Sequence, residues 1–337
     1  MRIAFFSTKS HDRDFFDQAN QEFDHQLDYF EPRLLPETAR LAEGYEGVCC
    51  FVNDRLDADI LQTLHGGGTR LVALRCAGFN NVDLTKAGEL GMTVMRVPDY
   101  SPHAVAEHTV GLVLALDRKI HRSFNRVREK NFSLEGLLGF DLHGKTVGVI
   151  GTGKIGTVMC RIMRGFGCSV LAHSRSERDD VKDMGVGYVP LKDLLSRSDI
   201  VSLHLPLTPK THHLVDEKAL SGMKRGAMLV NTSRGKLVDT EAAIEALKSG
   251  SLGGMAIDVY EEESDIFYQD LSGKVIDDDL LTRLLIMPNV IVTGHQAFFT
   301  EEAMESISRI TLQNISDFEA GKAEDSGNTV SAEKHTK

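Results

Sequence analysis

A chain of 337 residues with 42% hydrophobic side chains can bury substantial cores, and the usual domain size makes two domains the expectation. Its 38 basic and 49 acidic side chains give a formal net charge of -11, which repels phosphate backbones and anionic membranes and argues against nucleic acid or a membrane as partner. Five cysteines, Cys49, Cys50, Cys76, Cys160 and Cys168, show no Cys-x-x-Cys spacing, so reduced thiols and no metal site are expected.

At the N-terminus a short apolar run meets Lys9, Asp12, Arg13 and Asp14 at once, which is not a signal peptide, and the protein is expected in the cytoplasm. Apolar runs at 3–6, 48–52, 71–74 and 93–97 read as buried strands. The polar, helix-compatible segments between them predict βα units around a parallel sheet. No cofactor fingerprint falls among them, so this lobe is expected to shape a substrate site. A long helix begins at Ser101-Pro102, where proline suits a first turn and Ala104, Val105, Leu112 and Leu116 follow at helical spacing. Its most apolar stretch, 110–116, is far short of the roughly 18 residues that span a bilayer. The basic run 118–130 reads as a solvated helix face or a subunit contact.

From Thr146 strand and helix alternate clearly. Strands are predicted at 147–150, 170–172, 200–205, 228–231, 255–259 and 290–293, and a helix burying Ile155, Val158, Met159, Ile162, Met163 and Phe166 follows the first. The pattern is that of a doubly wound dinucleotide-binding sheet. A closing helix opens at Thr300 with Glu301 and Glu302 in its first turn and stops near Gly321, and it is expected to return to the first lobe. The tail 322–337 is polar and without periodicity, so disorder is expected there.

Gly151-Thr152-Gly153-Lys154-Ile155-Gly156 lies between a predicted strand and an amphipathic helix. In that context Gly151 permits the tight turn, Gly153 lets the backbone approach a pyrophosphate, and Gly156 allows close packing, while the helix N-terminus offers free N–H groups to an anion. About 20 residues on, an Asp or Glu ordinarily holds the ribose hydroxyls of NAD. Here the second strand ends His173-Ser174-Arg175-Ser176-Glu177-Arg178. Ser174 and Arg175, with Ser176 and Arg178 beside them, offer donors and positive charge to a 2′-phosphate, which predicts NADPH use or dual use of NADPH and NADH. The alternative is an ordinary polar loop with an exposed arginine.

Three later strands deliver polar groups to the edge where such sheets bind ligands. Asn231-Thr232-Ser233-Arg234-Gly235 carries a guanidinium whose planar fork suits the carboxylate and carbonyl of a 2-oxo acid, although a structural salt bridge also fits. Asp258 and Glu263 follow the next strand, and His295 follows the last. A histidine with a carboxylate partner can give and take a proton near neutral pH, and with an arginine the set suits redox chemistry at a carbonyl. Singly, His295 could be a satisfied structural histidine and Glu263 part of a solvated loop.

These segments, with Leu74-Arg75-Cys76-Ala77-Gly78-Phe79-Asn80-Asn81, Tyr100-Ser101-Pro102, Ala106-Glu107-His108, Val201-Ser202-Leu203-His204-Leu205-Pro206-Leu207-Thr208-Pro209 and Gly294-His295-Gln296-Ala297-Phe298, resemble the D-isomer-specific 2-hydroxyacid dehydrogenases, and within them the bacterial fermentative D-lactate dehydrogenases. The likeness covers nearly the whole chain. It implies an α/β protein of two Rossmann-like or flavodoxin-like doubly wound parallel-sheet domains with a cleft between them. The substrate domain would be residues 1–100 plus 299–337 and the coenzyme domain 101–298. By the same resemblance Arg234 binds substrate and polarises its carbonyl, Glu263 pairs with the histidine, and His295 is the proton donor. Ala77 and Gly78 match the loop that receives the carboxylate, and Tyr100 and Phe298 match pocket walls. Lys154, Ile155, Pro206, Thr232 and Asp258 match coenzyme contacts. Ser174 departs from the pattern, standing where NAD-preferring relatives keep an acid. The implied activity is reversible hydride transfer between NAD(P)H and pyruvate to give D-lactate, by a homodimer or higher homo-oligomer. Reduction of glyoxylate or hydroxypyruvate is the same-class alternative, and a nucleotide-sensing corepressor on the same fold is the different-class one.

Overall fold

The computed structural model describes residues 1–263 and 266–332. Contacts divide the chain into two compact units, Met1–Ser101 with Phe299–Lys337, and Pro102–Phe298. In the first, β1 (Arg2–Phe5), β2 (Gln26–Tyr29), β3 (Gly47–Cys50), β4 (Leu71–Leu74) and β5 (Thr93–Met95) run parallel in the spatial order β2-β1-β3-β4-β5. In the second, β6 (Thr146–Ile150), β7 (Ser169–His173), β8 (Gly187–Tyr188), β9 (Ile200–Leu203), β10 (Ala227–Asn231), β11 (Leu252–Ile257) and β12 (Val290–Val292) form a parallel sheet ordered β12-β11-β10-β9-β6-β7-β8. Both orders reverse direction once, which is the doubly wound arrangement.

The apolar runs are continuous rather than alternating because both faces of each sheet are covered. In the second unit Ile150, Val201, Leu203, Leu229, Met255 and Ile257 enter one core cluster. Their chain neighbours Val147, Val149, Ile200, Met228, Val230 and Ala256 enter the other, as the two-residue side-chain period of a strand requires. Helix Lys154–Gly165 adds Val158, Met159 and Met163 to that second cluster. Phe166, expected on the buried face of this helix, is its C-cap and is 38% exposed, one residue beyond the last helical turn. In the first unit Ala4, Phe6, Val48, Cys50, Val72 and Leu74 enter one cluster, and their chain neighbours Ile3, Phe5, Cys49, Leu71 and Ala73 are buried as well. Helix Glu301–Glu319 packs on helix Ser10–Asn20 and on β4 of this unit. All five cysteines are free and buried.

The structure departs from the sequence expectations at the sheet edges. β2, half-exposed, and β8, two residues long, carry too few buried side chains to show a period. The tail 322–337 is not disordered over its described part: Thr329–Val330 forms β13, antiparallel to β5, with Val330 buried. A two-residue strand has no periodicity to read, and its order comes from the partner it pairs with. Residues 333–337 lie outside the described residues. Helix Ile120–Arg128, in the basic run, has no buried residue, and Ile120, Phe124 and Val127 are exposed on it at i, i+4 and i+7. The helix is solvated, one of the two expectations for this run, and its exposed side chains are apolar as well as basic.

Candidate active site

Because β6 to β12 are parallel, the loops after them open on one edge of the sheet. Gly151 follows β6 at φ 96, and a Cβ there would collide with the His204 carbonyl. A Cβ on Gly156 would collide with the Gly151 carbonyl. Both glycines are thus required by the protein's own backbone. Gly153 is different: it is the N-cap of helix Lys154–Gly165, no side chain caps that terminus, and a Cβ on it would meet nothing within 4 Å. A helix start without a side-chain cap beside open space fits a dinucleotide's pyrophosphate, whose charge the helix N-terminus would hold. Lys154 and Ile155 stand in the first turn.

Around this turn the other expected coenzyme residues occupy strand ends. Ser174 follows β7 half-buried, and Arg175 is exposed, with no hydrogen bond or ion pair among the described residues. Arg178 is committed elsewhere, holding Asp180 through two bonds of 2.9 and 2.7 Å, and Glu177 pairs with Lys182 at 2.8 Å. Pro206 follows β9, its carbonyl accepting from Thr211 Oγ1 at 2.8 Å. The Thr232 hydroxyl lies 2.8 Å from that of Thr109, which donates to Val105 O. His204 is buried, paired with Ser202 Oγ at 2.8 Å, and burial holds its imidazole down at about 4, so it is neutral at physiological pH.

β10, β11 and β12 are neighbours, and they bring Arg234, Glu263 and His295 to the same edge. His295 Nδ1 lies 2.9 Å from Glu263 Oε1. The other carboxylate oxygen, Oε2, accepts from the Tyr260 amide at 2.9 Å, so the acid is held at both ends. With Nδ1 on a carboxylate, Nε2 is the nitrogen left to exchange a proton with a ligand. Arg234 donates through Nη1 to Ser233 O at 2.6 Å and has no carboxylate partner among the described residues. The guanidinium of a half-buried arginine without a counter-ion suits an anionic ligand.

Asp258 sits beneath this set rather than on its surface. Its side chain is fully buried and accepts from Thr293 Oγ1 at 2.5 Å, Gln296 N at 2.9 Å and Ala297 N at 2.8 Å, while its backbone carbonyl accepts from His295 N at 2.7 Å. His108 Nε2 approaches Thr293 Oγ1 at 3.2 Å and the Asp258 carboxylate at 3.6 Å. Tyr268 donates to His295 O at 3.1 Å. Sequence reasoning missed Thr293, Tyr268 and the role of His108, and only a histidine inside the Ala106-Glu107-His108 segment could have hinted at the last. Phe298 is half-buried and belongs to the second unit, whereas Ala77, Gly78 and Tyr100 belong to the first.

Two parallel α/β sheets, one with a glycine turn suited to a dinucleotide and a histidine–carboxylate pair beside an arginine, define a coenzyme-dependent oxidoreductase of a CH–OH group. A family model described as D-isomer specific 2-hydroxyacid dehydrogenase, NAD binding domain, matches residues 110–297. The D-lactate dehydrogenase of Escherichia coli is 52% identical over 322 residues, covering 96% of this chain and 98% of that protein. The 2-hydroxyacid dehydrogenase homolog 1 of Schizosaccharomyces pombe is 53% identical over 319 residues, with 94% and 96% covered. The structure of a D-lactate dehydrogenase from Aquifex aeolicus complexed with NAD and lactic acid superposes with a TM-score of 0.87 at 33% identity, covering 98% of this chain and 99% of that one. The chain belongs to the D-isomer-specific 2-hydroxyacid dehydrogenase family, and it is an oxidoreductase with an NAD-binding domain. No helix among the described residues is long and apolar enough to cross a membrane.

Proposed function

We propose that this protein reduces pyruvate to D-lactate, reversibly, in the cytoplasm and as a homodimer, using NADPH at least as well as NADH. The observation that carries the chemistry is the His295–Glu263 pair, 2.9 Å apart, on the strand edge that also bears an arginine without a carboxylate partner among the described residues. A bound nicotinamide supplies the hydride. His295, protonated, gives a proton to the carbonyl oxygen through Nε2 as negative charge grows there, and Glu263 stabilises the imidazolium. Arg234 orients the substrate and balances charge on the same oxygen, so its contribution increases toward the transition state. Ala77 and Gly78 receive the carboxylate, and Tyr100 and Phe298 favour a small apolar C3 group on the substrate. Gly151, Gly153, Lys154, Ile155, Gly156, Pro206, Thr232 and Asp258 serve the coenzyme, Asp258 by holding the loop around His295.

For the coenzyme, what supports the reading is the absence of an acid at the end of β7 and the exposed Arg175. A charge-assisted bond to a 2′-phosphate contributes about 1.5–3 kcal/mol, or roughly one to two decades of preference. For the dimer, the support is apolar surface that a lone chain leaves in water: Phe124, Phe132, Leu134 and Leu138 are 60 to 89% exposed. A second copy of the chain is the partner that fits.

The test is a panel of pyruvate, glyoxylate and hydroxypyruvate with each coenzyme, with chiral analysis of the product. Pyruvate should give the highest kcat/KM and D-lactate alone. A higher kcat/KM for glyoxylate or hydroxypyruvate would reassign the substrate, and L-lactate would refute the stereochemistry. A preference for NADH above about tenfold would mean that the β7 loop does not govern the coenzyme.

A further inference from the structure

The loop after β4, Cys76-Ala77-Gly78-Phe79, is gripped by its carbonyls. Val97 N donates to Cys76 O at 3.2 Å, Arg96 Nη1 to Ala77 O at 2.8 Å, and Cys76 Sγ to Gly78 O at 3.2 Å. Among the described residues the amides of Ala77 and Gly78 donate to no acceptor. The described peptides are trans, and a trans peptide points its C=O and the following N–H in opposite directions. Holding Cys76 O on Val97 therefore turns the Ala77 N–H the other way, and holding Ala77 O on Arg96 does the same for Gly78. The Arg96 guanidinium also stands over the Phe79 ring, 5.2 Å from its centre, so it clasps the loop at two points. Burial lowers this arginine from its usual value, a penalty that an anion nearby would relieve.

Arg96 is itself held by the C-terminal segment. Its amide donates to Asn328 O at 3.0 Å, and its carbonyl accepts from Asn314 Nδ2 at 3.0 Å. Asn314 is 1% exposed, and its Oδ1 accepts from Asn328 Nδ2 at 2.8 Å. Next along the chain, β13 pairs Thr329 with Met95 and Val330 with Val94, directly before Arg96. Asn328, Asn314 and Arg96 thus form an unbroken line of hydrogen bonds ending on the Ala77 carbonyl.

We propose that residues 328–330, through Asn314 and Arg96, are positioning residues that aim the Ala77 and Gly78 amides at the carboxylate of the substrate. The proposal rests on the 2-oxo acid reading above. It gives a segment with no sequence signature a defined role, because the amides present their N–H groups only while the carbonyls behind them are held. Arg96 adds positive charge behind the same peptide planes, which strengthens their pull on an anion.

The experiment uses the full-length protein and two probes, pyruvate as substrate and oxamate as a non-reacting carboxylate. Arg96→Met should raise the pyruvate KM and the oxamate Ki at least about tenfold, with kcat within about threefold and the coenzyme Kd, read by fluorescence, within about twofold. Arg96→Lys should recover part of the loss, because it restores a donor and a charge without the fork. Ending the chain at Gly327 should raise the same two constants about three- to tenfold, whereas ending it at Ala332 should leave them unchanged. Unaltered KM and Ki in Arg96→Met, or identical behaviour of the two truncations, overturns the positioning role. So does a parallel loss of kcat, coenzyme binding and KM in Arg96→Met and in the Gly327 truncation, which marks general loss of packing. A wild-type protein that turns over no 2-oxo acid overturns the functional reading and this proposal with it, and that result is visible before any variant is compared.

Discussion

His295 adopts φ 53, in the left-handed region that costs a residue with a Cβ roughly 1–2 kcal/mol. Its amide on Asp258 O, its carbonyl on Tyr268 and its ring on Glu263 offset that cost and fix the direction of the imidazole. The proposed chemistry depends on that direction, so His295→Ala and Arg234→Ala should each lower kcat/KM for pyruvate by at least about 100-fold while the protein remains folded. Near wild-type turnover in either variant, measured at saturating coenzyme, would remove it from the mechanism. A different histidine contributes to acid sensitivity. His204, held at about 4 against the usual 6.5, is neutral in the folded protein and free to protonate once unfolded. Above about pH 6.5 this difference costs the fold nothing, and as the pH drops toward 4 protonation of the unfolded chain lowers stability by up to about 3 kcal/mol. His204→Asn should flatten the fall in Tm between pH 6.5 and 4, and an equally steep fall in that variant would assign the acid sensitivity to other groups.

At the scale of elements, the turn from β6 into helix Lys154–Gly165 separates two uses of glycine. Gly151 and Gly156 face backbone carbonyls, whereas Gly153 faces open space. Gly156→Ala must displace the Gly151 carbonyl and should lower stability by about 1–3 kcal/mol in denaturant melts. Gly153→Ala should leave Tm nearly unchanged yet weaken coenzyme binding at least about tenfold, because the methyl enters space the pyrophosphate would use. Equal stability losses in the two variants would remove the distinction. The motif Gly-x-Gly-x-x-Gly is visible in sequence because its demands are local, a tight turn and a helix start. Gly151 is confined from outside the motif by the His204 carbonyl after β9, and Gly156 by the Gly151 carbonyl.

For the whole molecule, the exposed helix Ile120–Arg128 and the apolar residues that follow it should be covered in solution. A hollow of about 410 Å³ involves the same stretch of chain, and its lining mixes Leu134, Leu137, Leu138 and Phe140 with Arg118, Ser123 and Asp141. Sedimentation of the wild type should give a mass of two chains, and Phe124→Asp with Leu138→Asp should shift it to one. A wild-type monomer at micromolar concentration would leave this surface for another partner.

How much of this was legible from residues alone divides by sequence distance. Most strand runs, β2 and β8 apart, and the glycine turn announce themselves within a few positions, because buried strands and tight turns constrain nearby residue types, whereas the roles expected of Arg234, Glu263 and His295 come from the family resemblance. Arg178 shows the limit even at short range: its charge is present in the β7 loop, but Asp180 takes it up. Asp258 reads as one more polar strand end, and only the fold shows that it lies fully buried under the His295 loop. The C-terminal residues read as a featureless tail. Their order comes from β5 and from the Asn314–Arg96 bond, which joins residues 218 positions apart. Local pattern in the residues carries the parallel sheets and the polar residue types at their strand ends, because buried strands and turns make demands on near neighbours. Which polar side chains are spent holding others in place belongs to the folded molecule, because hydrogen bonds between distant segments leave no period in either one.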